Sequence, residues 1–149
     1  MEFLKQYLDL VVFGILGAMS FLTFWFVIER YLYYARVDLR QFTHPEQLRI
    51  ALTHRLTAIS TIGANAPYIG LLGTVLGILI TFWDIGQGGK IEPSAIMLGL
   101  ALALKATAGG LLVAIPAILF YNGLLRKVDV LTARWQQLND DGIDDRSEP

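Results

Sequence analysis

The chain contains no cysteine, which removes disulfides, thiolate metal sites and cysteine nucleophiles from consideration. Charge is also scarce: 17% of the residues are charged, against about 25% in an ordinary soluble domain. The charges nearly cancel, to a net −1, so no global field draws in nucleic acid, and none is expected as a partner. Histidine is limited to His44 and His54, whose separation suggests solvated helix residues and no metal pair. No carboxylate occurs between Pro67 and Trp83, or between Ser94 and Leu125. The apolar runs hold no nucleophile–base pair, no metal-ligand cluster and no phosphate loop, so neither an enzyme nor a cofactor site is expected. The first run lacks an A-x-A-like cleavage site and reads as a retained helix, not a cleaved signal peptide.

Apolar residues, by contrast, are abundant at 54%, and they are concentrated in runs. Leu10 to Ile28 is uninterrupted by charge, and about 20 helical residues cross a hydrocarbon core of roughly 30 Å. Glu29 and Arg30 end the run, and Tyr31, Tyr33 and Tyr34 supply interfacial rings. A second span is predicted over about 66–83, ended by Asp84 with the turn sequence GQGG (86–89) beyond it. A third covers about 95–125, longer than a bilayer needs, so part of it projects or tilts. The expected fold is an all-α integral membrane protein, a single membrane domain over 1–149. It has three transmembrane helices, of which the second and third extend into the cytoplasm.

Charge asymmetry sets the orientation. Arg30, Arg36, Arg40, Arg49 and Arg55 lie between spans one and two, and Arg126, Lys127, Arg134 and Arg146 follow span three. The other side has only Lys5 and Lys90. The positive-inside rule then puts the N-terminus outside, and the loop (30–64) and tail (126–149) inside. In that loop Thr43-His44-Pro45-Glu46 matches a capping box with proline in the first turn. Leu48, Leu52, Leu56 and Ile59 recur at helical spacing, so a cytoplasmic helix is expected to run towards span two, with Pro67 kinking or restarting it. The tail keeps helical periodicity through VDVLTARWQQL, and the acidic DDGIDDRSEP is expected to be disordered.

Small and hydroxyl residues form stripes. Gly70, Gly73, Thr74, Gly77 and Thr81 share one face of span two; Gly99, Ala103, Ala106, Thr107, Gly110, Ala114 and Ala117 share one face of span three. Two readings stand. Such stripes most often let backbones approach closely, and each threonine can bond the carbonyl one turn back. Alternatively, because three spans have little room to enclose a path alone, the stripes suit the smooth, weakly polar wall of an oligomeric ring whose hydroxyls hold water or relay a proton.

The segments NAPYIGLLGTVLGI (65–78) and ALKATAGGLLVAIPAILFYN (103–122) resemble the ExbB/TolQ/MotA family of proton-channel subunits, its ExbB branch in a short form most closely. The resemblance extends over the whole chain. It implies a multi-pass protein of the bacterial inner membrane that forms a homopentamer around the helices of ExbD. It further implies that the complex uses the proton-motive force to energise TonB for import through outer-membrane receptors for iron chelates and vitamin B12. By motif position Thr74 and Thr107 are the hydroxyls facing an ExbD aspartate, with Gly70, Gly73, Gly77, Ala103, Ala106, Gly110 and Ala114 lining the pore. Where many members carry a glutamate, in a pattern like SEALIATA, this chain reads ALALKATA and has Leu102, so a titrating carboxylate would have to come from the partner. A TolQ-like subunit for envelope maintenance, a MotA-like flagellar stator and a structural scaffold are the alternatives; a MotA-type chain has four spans and a large cytoplasmic domain.

Lys105 stands inside the third span. Counting inward from Ser94 puts it near the midplane, but counting back from the Tyr121–Arg126 boundary puts it near the outer interface, the preferred reading. It lies about 200° from Thr107, with Ala101, Ala108, Gly109 and Leu112. The leading expectation is a snorkelling or inter-subunit role, pairing with Asp84, a membrane-lipid phosphate or a carbonyl. An anchor for ExbD or a TonB-like protein comes next, and direct proton-path chemistry last.

Overall fold

The computed structural model describes residues 2–88 and 92–145. Lys90, Arg146 and the last residues of the acidic tail therefore lie outside the described residues. Four helices follow in order: α1 (Glu2–Arg36), α2 (Pro45–Thr53), α3 (Leu56–Gly88) and α4 (Pro93–Asp144), with a 3-10 turn at Leu39–Gln41 before α2. The helices α1, α3 and α4 are each long and apolar enough to cross a membrane. Much of their apolar surface faces outward, as at Leu10 and Leu112, both over 70% exposed. Such faces are stable against lipid or neighbouring helices, not against water.

The longest contact is the antiparallel seam between α3 and α4. A Cβ at Gly70 would sit 2.6 Å from the Ala106 carbonyl oxygen, and one at Gly110 would sit 2.6 Å from that of Ala66. Only glycine permits this approach, and it draws the two backbones into van der Waals contact. α1 lies across one side of the seam, with Val12 and Leu16 buried against Ala66, Ala106 and Ala114.

At the Arg30 end a larger cluster gathers Val27, Tyr34, Leu48, Leu52, Ile59, Leu124 and others from all four helices. The backbone of α2 is tied in by side chains from α1: Tyr34 donates to the Leu52 carbonyl (2.6 Å) and Arg30 to the Ala51 carbonyl (3.1 Å). Trp135 of α4 donates its indole N–H to the Phe42 carbonyl (3.0 Å), fixing the segment that enters α2.

The structure corrects several expected boundaries. The loop helix does not run on towards the second span: it stops at Thr53, and Arg55 adopts φ 65 before α3 begins. That left-handed residue is held by Glu29, 2.5 Å from its guanidinium, and by the Phe26 ring at 5.2 Å. α3 then passes through Pro67 without restarting. The capping box does not form; His44 is the N-cap without a side-chain bond, and Thr43 lies 3.5 Å from Gln47 instead. The expected turn at 86–89 is helical through Gly88. Nor is the acidic tail irregular from its start, because α4 carries on to Asp144, where the Asp145 N–H reaches back to the Asp141 carbonyl.

Candidate functional site

The two threonines singled out by the sequence meet. Thr74 and Thr107 place their hydroxyl oxygens 2.5 Å apart across the seam. Thr74 also donates to the Ala103 carbonyl (2.9 Å), with a weaker contact to Gly70 one turn back (3.3 Å). Thr107 is therefore satisfied across the seam, by its partner hydroxyl. The glycines make this possible: with Gly70 and Gly77 against Ala106 and Ala103, the backbones are close enough for one hydroxyl to reach the opposite helix.

The stripe residues divide by environment. Gly70, Gly73, Ala103, Ala106, Gly110 and Ala114 are buried within the single chain, and Gly77 is half-buried against Ala103. Of the two readings their spacing left open, these seven have the geometry of packing; they hold α3 and α4 together and turn no side chain outward. Gly73, Ala106 and Gly109 lie on the α1 side, where added Cβ atoms at the two glycines would meet Val12 and Phe13. Thr107 lies about 200° from Gly109, so the hydroxyl pair reaches the opposite edge of the seam. One turn above and below on that edge are Leu71, Leu104 and Leu111, all exposed. The pair is a small polar spot in an apolar wall.

Its chemistry follows from counting protons. Thr74 has one hydroxyl proton. When it is given to the Ala103 carbonyl, Thr107 must donate to Thr74, and the lone pairs of Thr107 can accept from an outside acid. When Thr74 donates to Thr107 instead, Thr107 can donate to an outside anion. The pair can therefore face either a carboxylic acid or a carboxylate without carrying charge itself.

Lys105 is on the other side. Its ammonium lies 5.2 Å from the centroid of the Phe13 ring in α1, and the residue is exposed. Phe13 is four residues, about 6 Å of helix, inward of Asp9, and the Lys105 side chain tilts towards the N-terminal end of α4. Within the chain the Lys105 ammonium lies against Phe13 and not against Asp84, which bonds Lys5 at 3.0 Å. The sequence reading missed this ion pair; its only signal was that both charges flank apolar runs at the same predicted end. A recess beside it, lined by Lys5, Asp9 and Thr81, reaches Gly77 and Ala103.

Comparisons with known proteins place the chain in a family. Residues 37–137 match the MotA/TolQ/ExbB proton channel family. The biopolymer transport protein ExbB of Helicobacter pylori strain J99 is 52% identical over 136 residues, 91% of this chain and 94% of its own. The ExbB of Aquifex aeolicus strain VF5 is 48% identical over 139 residues, covering 93% of this chain and 94% of that one. A putative ExbB-like 2 protein of H. pylori strain 26695 is 48% identical over 132 residues, 89% of this chain and 88% of its own. With its three apolar helices, the chain is a multi-pass membrane protein, and it belongs to the MotA/TolQ/ExbB proton channel family.

Proposed function

We propose that this chain is the ring-forming subunit of a proton channel in the bacterial inner membrane, with its N-terminus outside and its C-terminus inside. Several copies, a pentamer in the ExbB pattern, arrange their Thr74–Thr107 edges around a central helix supplied by an ExbD-like partner. That partner brings the titrating carboxyl group, since α3 and α4 have none between Pro67 and Trp83 or between Ser94 and Leu125. Proton flow through the complex energises a TonB-like protein for import across the outer membrane.

The observation that carries this reading is the hydroxyl pair itself: it lies on the edge away from α1, surrounded by apolar side chains, and can present a lone pair or a proton. A charged carrier passing such a wall would be costly in hydrocarbon, so a neutral group that serves both of its protonation states is the chemistry required. The recess at Lys5 and Asp9 offers water an approach to Ala103, whose carbonyl accepts from Thr74.

A scaffold is the second reading, favoured by the bond from Thr74 to Ala103, which ties the helices whether or not protons move. Proteoliposomes holding the chain and its ExbD-like partner separate the two. Thr107→Val is expected to abolish acid-driven proton uptake while leaving assembly intact, with Thr107→Ser retaining it. Equal uptake in all three would refute the role of the hydroxyl pair, and no uptake above that of empty liposomes, even with wild type, would refute the channel.

A further inference from the structure

The groove between the Arg30 end of α1 and α4 has a chemistry the proton path does not use. It encloses a cavity of about 270 Å³ lined by Tyr34, Ala35, Arg126, Lys127, Val130, Leu131 and Arg134. We propose that it binds the phosphate headgroup of an anionic membrane lipid. The inference goes beyond the channel reading and requires only that the helices lie in a membrane.

Three cations converge there without an internal counter-ion. The ion pairs among the described residues join Lys5 to Asp84, and Arg30 and Arg55 to Glu29; none involves Arg126, Lys127 or Arg134. Asp129, the acidic residue closest to them in sequence, lines a different groove with Glu46. Lys127 is positioned by the Tyr31 ring, 4.5 Å from its ammonium. Arg126 and Arg134 are eight residues apart, so they share a helix face with about 12 Å between them and can approach one phosphate from above and below. Clustered like charges on a folded surface repel one another unless an anion sits between them.

The depth and the lining of the groove select a lipid over a free ion. The apolar run of α4 ends at Leu125, so Arg126 and Lys127 stand where the hydrocarbon gives way to headgroups. Between the cations the lining is apolar: Ala35, Val130, Leu131 and the ring of Tyr34, whose hydroxyl is turned away to Leu52. Cations set on either side of apolar side chains fit an amphiphile, and basic pockets between helices at this level recognise anionic lipid headgroups.

Native mass spectrometry of the full chain in a neutral detergent tests the assignment, with added phosphatidylglycerol, phosphatidylcholine or inorganic phosphate. The intact protein is expected to retain phosphatidylglycerol in preference to phosphatidylcholine. Arg126→Gln with Arg134→Gln should weaken retention about thirtyfold, while the Lys pair at the same positions keeps it. Arg36→Gln with Arg40→Gln removes the same charge elsewhere and should change little. Equal losses in both Gln pairs would mean diffuse attraction and overturn the site. Displacement of the lipid by millimolar inorganic phosphate would overturn the lipid assignment in favour of a simple anion site.

Discussion

Gly70→Ala is the sharpest perturbation of the seam. The new methyl would start 2.6 Å from the Ala106 carbonyl oxygen and 3.1 Å from the α-carbons of Thr107 and Gly110. All three are backbone atoms and cannot rotate away. A carbon rests at about 3.3 Å or more from a carbonyl oxygen, so the helices must part locally by about 0.7 Å. The Thr74–Ala103 bond, 2.9 Å here, would lengthen to about 3.6 Å and be lost. Overpacking of this kind costs about 1–3 kcal/mol, and the broken bond adds about 0.6 kcal/mol. Gly14→Ala is the control, because nothing lies within 4 Å of its added Cβ and the helix gains about 0.5–1 kcal/mol of propensity. Reversible unfolding in mixed micelles, followed by far-UV circular dichroism, should show Gly70→Ala less stable than wild type and Gly14→Ala at least as stable. Equal stabilities for the two variants would refute the close-packed seam.

Other substitutions probe the Arg30 end. Tyr34→Phe leaves the Leu52 carbonyl without its donor and is expected to cost about 1–3 kcal/mol in the same assay; no loss would mean water replaces the hydroxyl. Leu124→Ala, at a fully buried position, should cost about 2–5 kcal/mol and shift the thermal midpoint accordingly. Trp135→Phe removes the bond to Phe42, so amide exchange should accelerate across 39–44 while α3 is unaffected.

Periodicity made much of this protein legible. The three apolar runs and the two stripes could be read because membrane helices and close backbone contacts impose spacings that survive in any sequence. What could not be read was decided by tertiary contacts. Arg55 takes a left-handed turn with no glycine to announce it, because Glu29 and Phe26 hold its side chain. The Gly86–Gly88 stretch has turn composition yet remains helical, since an established helix adds each further residue cheaply. The acidic tail follows α4 for the same reason. For the site, spacing placed Thr74 and Thr107 on facing stripes. It could not show that their hydroxyls touch, nor that the glycines around them pack within the chain.

The absence of cysteine permits the most direct test of the central claim, that the Thr107 edge faces a partner's carboxyl-bearing helix. Cysteine introduced as Thr107→Cys or Lys105→Cys would be the chain's only one, and the ExbD-like partner would carry a single cysteine beside its membrane aspartate. Oxidation in native membranes should cross-link the partner through Thr107→Cys and not through Lys105→Cys. Cross-linking through the Lys105 variant alone would place the partner on the α1 side and contradict the account.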